Sequence, residues 1–175
     1  MSTSNEAVQA QLLTFLLAGD SYAVSILRVR EIIEYEEVTR VPNVPPSIRG
    51  VINLRGAVVP VVDLAVRFNA GESRLTKRSC VIIVEVDVDG AHLVVGLMAD
   101  AVSQVIELPA ADIEPPPSFG TRVRADFLQG LGKIGKSFVL ILDIDRVLSN
   151  EEVLAAIEAP LAHAAVLQEA APSAP

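Results

Sequence analysis

The sequence predicts a mainly β protein made of two similar small lobes, and three observations predict it. Short runs rich in Val, Ile and Leu recur between turn residues, at 11–17, 21–24, 50–54, 57–62, 80–88, 91–98, 104–108 and 137–144, as strands separated by turns do. Helical patterning is confined to two short stretches. Finally, residues 50–64, GVINLRGAVVPVVDL, lie without gaps over residues 130–144, GLGKIGKSFVLILDI, so that Gly50 meets Gly130, Asp63 meets Asp143 and seven apolar positions coincide.

Taken in order, the first ten residues are polar and small and are expected to be a flexible tail. The pairs Gly19-Asp20, Arg55-Gly56 and Asp89-Gly90 each stand between strand-like runs, and Asp-Gly is a favoured two-residue hairpin connection. Between the first hairpin and the next, Ser25–Ile33 sets Ile26, Val29, Ile32 and Ile33 at helical spacing, which predicts a helix. Pro60 lacks an amide donor, so its strand is an edge or carries a bulge, serving either to block aggregation or to dock a partner.

Both copies of the 50–64 pattern read as strand, tight turn and second strand, ending in an Asp able to cap a short helical turn. A weaker echo relates YAVSILRVREII, from Tyr22, to LVVGLMADAVSQVI, from Leu93, if two residues are inserted. Ser149-Asn-Glu-Glu152 is a capping box that predicts a C-terminal helix carrying Val153, Leu154 and Ile157. From Ala159 to Pro175 the chain is Ala- and Pro-rich and reads as a second tail, leaving 11–158 as one folded unit of two lobes.

Composition excludes several functions. The 175 residues are 51% hydrophobic, with five Phe, two Tyr and no Trp, so the core is aliphatic and a base-stacking platform is not expected. Fourteen Lys and Arg against 22 Asp and Glu leave a net charge of −8, which repels phosphate backbones and argues against nucleic acid. The basic pairs Arg28/Arg30 and Arg122/Arg124 remain as local contact points. Mean hydropathy is high at +0.45, yet the runs Ala57–Val62, Val81–Val84 and Val139–Leu142 are strand-sized, far short of the roughly 18 residues a spanning helix needs. A single cysteine, Cys80, forms no internal disulfide, and the N-terminus lacks a cationic start and apolar segment, so a cytoplasmic setting is expected.

Four motifs resemble chemistry. Gly130-Leu-Gly-Lys-Ile-Gly-Lys-Ser137 satisfies the phosphate-loop pattern and supports the alternative of a nucleotide-binding enzyme. Such a loop needs a helix N-terminus after the glycine turn, whereas Phe138-Val-Leu-Ile-Leu-Asp-Ile144 favours a strand, so a hairpin turn is expected. Glu85–Gly90 imitates the start of a calcium loop, but its twelfth position would be Gly96 where a bidentate Glu is required. His92 and His163 have no second ligand at metal spacing, and Cys80 lies in an apolar run where core packing is the expected role. No catalytic constellation, metal or cofactor is expected, which leaves binding at turns and edges.

The residues also resemble a family. Tyr22-Ala-Val with Ile26-Leu-Arg-Val-Arg-Glu-Ile32, Thr39-Arg-Val-Pro-Asn-Val-Pro45, Ile48-Arg-Gly-Val-Ile-Asn-Leu-Arg-Gly56, Ala57-Val-Val-Pro-Val-Val-Asp-Leu64, Val95-Gly-Leu-Met-Ala-Asp-Ala-Val102 and Leu128-Gln-Gly-Leu-Gly132 follow the order and spacing of the CheW family of chemotaxis coupling proteins. The resemblance runs from about Leu12 to Leu154 and is most specific over Gly50–Leu64. It implies two five-stranded, SH3-like β-barrels packed together, in agreement with the repeat. It also implies a non-catalytic adaptor that links the cytoplasmic tips of transmembrane chemoreceptors to the regulatory domain of a CheA-type histidine kinase in receptor arrays. No receiver domain and no kinase domain is expected beside it.

Carried over by position, the resemblance implies partner contacts at Val29, Glu31, Gly50, Asn53, Arg55, Gly56 and Val102. Arg55 lies in the Asn-Leu-Arg-Gly turn associated with receptor and kinase coupling, and Val102 would line a groove between lobes that receives the receptor's helical tip. For four of them a plainer role stands beside it: Val29 and Val102 as core, Gly50 as a turn residue and Arg55 as a solvated hairpin tip.

Overall fold

Tight turns dictate the local pairing. The computed structural model of the chain describes residues 9–71, 73–88, 90–116, 125–149 and 155. Strands β1 (Gln9–Leu17) and β2 (Asp20–Ser25) meet at Ala18-Gly19, one residue before the expected Gly19-Asp20, and both turn residues have positive φ. Strands β4 (Ile48–Leu54) and β5 (Ala57–Asp63) meet at Arg55-Gly56, again with both φ positive. Two successive left-handed residues give the turn whose twist matches that of the flanking strands. Strands β6 (Cys80–Val88) and β7 (Ala91–Ala99) pair down to Val88 opposite Ala91, as the Asp89-Gly90 turn predicts.

The expected helix at Ser25–Ile33 does not form. Ser25 caps only a 3-10 turn over Ile26–Arg28, accepting from the Leu27 amide, and the chain continues as β3 (Val29–Glu34) along β6. Val29, Ile32 and Ile33 are β-branched, so their helical spacing yields to the ladder that β6 offers. In the strand, Val29, Glu31 and Ile33 are partly buried while Ile32, expected on a buried helical face, is 42% exposed. The chain then supplies β8 (Ala101–Pro109), β9 (Ile113–Glu114), β10 (Leu128–Ile134) and β11 (Ser137–Leu142).

These strands make two curled sheets. The first has the order β8-β1-β2-β11-β10-β9, and the second β3-β6-β7-β5-β4. The first lobe gains its sixth strand from the two-residue β9 on the outer edge of β10. The matching position in the second lobe is a single bridge, where Thr39 and Val51 exchange both backbone hydrogen bonds at 2.8 and 2.9 Å.

The internal repeat is structural. Both copies form a hairpin followed by one helical turn, α1 (Leu64–Arg67) and α2 (Ile144–Val147), capped by Asp63 and Asp143. Gly50 and Gly130 both sit where the register slips, and a Cβ on either would meet the backbone oxygen of the adjoining strand, Thr39 or Glu114. The weaker echo is real but needs no insertion. Opposite Val29 lies Val84 before a slip to Glu31–Ile83, and opposite Val102 lies Phe15 before a slip to Gln104–Thr14. Val29 therefore corresponds to Val102 at a constant offset of 73 residues, because hydrogen-bond register is the stricter alignment.

Each lobe sends one edge strand to the other sheet. β2 belongs to the first sheet but β3, its successor, to the second; β7 belongs to the second and β8 to the first. The runs of apolar residues follow from this exchange. On β6, Val81 and Ile83 fill the second lobe's own core with Val59, Val61 and Met98, while Ile82, Val84 and Val86 join a larger core shared by both lobes. A strand buried on both faces loses its polar alternation. Phe15, Tyr22 and Phe68 stack in sequence through the shared core and Phe127 lies tilted against Phe68, with ring centres 5.8–6.1 Å apart.

The capping-box helix at 149–157 falls outside the described residues except for Ser149 and Ala155, the latter helical. Arg122, Arg124, His163 and most of both expected tails are likewise outside them. Among the described residues no helix is long and apolar enough to cross a membrane.

Candidate functional site

The β4–β5 turn lifts Arg55 to an exposed tip. Asn53 holds the turn from beneath, its Oδ1 accepting from the Gly56 amide at 2.8 Å. A side chain at a turn tip would ordinarily be free in solvent, yet Arg55 donates two hydrogen bonds to Glu31, Nη1 to Oε2 at 2.5 Å and Nη2 to Oε1 at 3.0 Å. The Arg55 side chain is 76% exposed, whereas Glu31 is 25% exposed, so the carboxylate anchors and the guanidinium is displayed. That planar fork fixes orientation as well as charge. Hydrogen bonding from Arg55 holds the Glu31 carboxyl below its usual range against the opposing effect of desolvation, with the charges of Arg55 and Arg30 adding to the lowering.

Beside this pair lies a groove of about 420 Å³. Leu54, Val58, Leu93 and Val94 supply apolar surface, and Arg30, Glu31, Arg55 and His92 supply its polar rim. Arg30 pairs with Glu85 at 3.3 Å, and His92 Nδ1 lies 2.8 Å from Asp87. Sequence reasoning offered Arg30 only as a local basic contact point beside Arg28 and missed the floor altogether, because β3, β4, β5 and β7 meet there only after the sheet curls. β5 and β7 read as near-continuous apolar runs and give no local signal of which residues face the groove.

The other expected contact residues have different surroundings. Gly50 is buried, with φ of +147°, and an added Cβ would sit 2.1 Å from the Thr39 oxygen, so its place in the fold requires glycine. Val29 and Val102 are partly buried and pack against the shared core. Val102 also lines a depression of about 360 Å³ with Ile32, Glu34, Arg78 and Ala101, where edge strands of the two lobes come together.

The phosphate-loop motif is a hairpin. Gly130–Ile134 belongs to β10, Gly135-Lys136 is the turn, and Ser137 opens β11 instead of a helix. Gly130–Ile134 and Ser137 pair in the ladder, and no helix N-terminus follows the glycine turn to face a phosphate. No cluster of three metal-ligating side chains occurs among the described residues. Cys80 is buried and its thiol is pushed up chiefly by that burial, the opposite of an activated nucleophile.

A family model described as "CheW-like domain" matches residues 11–152. The chain belongs to the CheW family. Chemotaxis protein CheW of Klebsiella aerogenes is 37% identical over 150 residues, covering 86% of this chain and 88% of that one. Chemotaxis protein CheW of Bacillus subtilis is 34% identical over 148 residues, covering 84% and 92%. Among solved structures, the scaffolding protein TtCheW from Thermoanaerobacter tengcongensis superposes with a TM-score of 0.73 at 32% identity, over 83% of this chain and 91% of that one. Membership in the CheW family makes the chain a chemotaxis coupling scaffold, and nothing supports the nucleotide-binding reading.

Proposed function

We propose that this chain couples a CheA-type histidine kinase to transmembrane chemoreceptors at the cytoplasmic side of the membrane and performs no reaction itself. The kinase's regulatory domain docks in the groove rimmed by Arg55, and the helical cytoplasmic tip of a receptor lies in the depression between lobes lined by Ile32 and Val102. The observation that supports this most is the exposed Arg55 guanidinium, held in one orientation by Glu31 above an apolar floor. An oriented charge over apolar surface is the arrangement of a binding hot spot. Gly50, Asn53 and Gly56 contribute by shaping the hairpin, and Val29 by seating β3 against the shared core.

Coupling then follows from differential contacts: a receptor state that prefers one arrangement of the scaffold shifts the kinase population by that preference. Titration of the chain with a kinase regulatory domain and, separately, with a receptor tip fragment tests the reading. Binding of both, unchanged by ATP, is expected; absence of kinase binding would refute it.

A further inference from the structure

Polar contacts behind the groove reach the other lobe. Asp145, on α2 of the first lobe, accepts from Arg28 Nη2 at 2.6 Å and, through its other oxygen, from the Asp87 backbone amide on β6 at 3.0 Å. Arg28 sits in the 3-10 turn where the chain passes from the first sheet to the second. Its Nη1 donates to the Glu85 carbonyl at 3.3 Å and to Asp87 Oδ2 at 3.4 Å. The remaining Asp87 oxygen holds His92, whose other ring nitrogen lies 3.9 Å from Glu85, and Glu85 holds Arg30. His92 and Arg30 are groove residues. A continuous polar chain thus runs from the first lobe's helix to the wall of the second lobe's groove.

We infer that Arg28, clasped by Asp145, is a positioning residue for partner binding, because it sets Asp87, and through Asp87 the groove residue His92, according to the placement of the first lobe. The inference rests on the groove being the kinase-docking site. Arg28 and Asp145 do not line the groove, so their effect on a partner there passes through Asp87 and His92. Both side chains are about a third exposed, an environment in which a charge-assisted pair retains more of its strength than at a free surface. The groups facing His92 are Glu85 and Asp87 from β6, with Arg30, Glu31 and Arg55 sharing its groove. From β5 the groove receives only Ala57, Val58 and Val59, which carry no charge. Asp89 lies outside the described residues.

The test compares Arg28→Gln, Arg28→Lys and Asp145→Asn with Arg55→Glu for affinity toward the kinase regulatory domain. Carboxyl NMR follows Asp87 in each, and thermal melting confirms folding. Arg28→Gln and Asp145→Asn are expected to weaken binding by roughly threefold to tenfold, with Arg28→Lys recovering most of the loss. Hydrogen bonding to His92 holds the Asp87 carboxyl below its usual range, and Arg28 adds to this. Arg28→Gln should therefore raise the Asp87 titration, and Asp145→Asn, which leaves the Arg28 charge in place, should raise it as well only if Asp145 holds Arg28 against Asp87. Wild-type binding by Arg28→Gln and Asp145→Asn, alongside loss in Arg55→Glu, overturns the inference and leaves the docking site standing. Wild-type binding by Arg55→Glu removes the docking site, and the inference with it.

Discussion

Glu31 and Arg55 meet as a two-pronged ion pair although they belong to opposite edges of one sheet, β3 and the β4–β5 turn. Curling of the second sheet brings those edges together, and the pair spans the closure. The same curl forms the groove, so the displayed charge and its apolar floor arise from one event.

Arg55→Glu places a carboxylate against Glu31 and is expected to leave the fold intact while weakening kinase capture at least tenfold, as loss of an oriented interface Arg does. Isothermal titration beside a thermal melt measures both. The pair is exposed on the Arg55 side, so raised salt should weaken it too.

The Glu31 carboxyl titrates below its ordinary value in the folded chain. Its contribution is therefore present above the unfolded carboxylate pKa of about 4.3 and is lost as pH falls through the lower folded value. Side-chain NMR of Arg55 should show the ordered guanidinium signal at neutral pH and its loss in acid below that value. Persistence of the ordered signal after Glu31 has protonated would mean that the carboxylate does not orient Arg55.

Gly50→Ala should destabilise by about 2–4 kcal/mol, since the new methyl meets the Thr39 oxygen and the backbone is left-handed. Gly56→Ala faces open space and carries only the backbone strain of φ +88°, so about 1 kcal/mol is expected. Urea unfolding separates the two.

The duplicated caps should differ in weight. Asp63 is fully buried and accepts from the Ala65, Val66 and Ser73 amides and from the Ser73 hydroxyl. Asp143 accepts the Arg146 amide and is partly exposed. Asp63→Ala is expected to cost about 2–4 kcal/mol, against about 1 kcal/mol for Asp143→Ala. Equal losses in urea titrations would contradict the difference in burial.

Phe68→Ala removes a ring from the middle of the stack between lobes and should cost about 3–5 kcal/mol. Because the core is shared, unfolding followed by circular dichroism and by fluorescence of the two Tyr residues should coincide. Limited proteolysis that left two separately stable halves would contradict this unity.

Much of the fold was legible in local chemistry. Arg55-Gly56 announced a hairpin because few residues tolerate successive left-handed positions, and Asp63 and Asp143 announced helical turns because a carboxylate satisfies free amides. The repeat from 50 to 64 was visible because each copy meets the same constraint at Gly50 and Gly130. β3 was not legible: Val29, Ile32 and Ile33 fit a helical stripe, and only the neighbouring β6 decides for a strand. The echo from Tyr22 to Leu93 already set Val29 over Val102, and only the pairing register shows that no insertion is needed to do so.

By itself the sequence determined strands, turns, caps and a duplication, together with the family to which they belong, because those depend on neighbours a few residues apart. Tertiary structure alone decided which sheet receives β3 and β8, that Glu31 orients Arg55 from 24 residues away, and that Arg28 and Asp145 stand behind the groove. Those contacts arise from sheet curvature and lobe packing, which join residues distant along the chain through a shared core that no local pattern encodes.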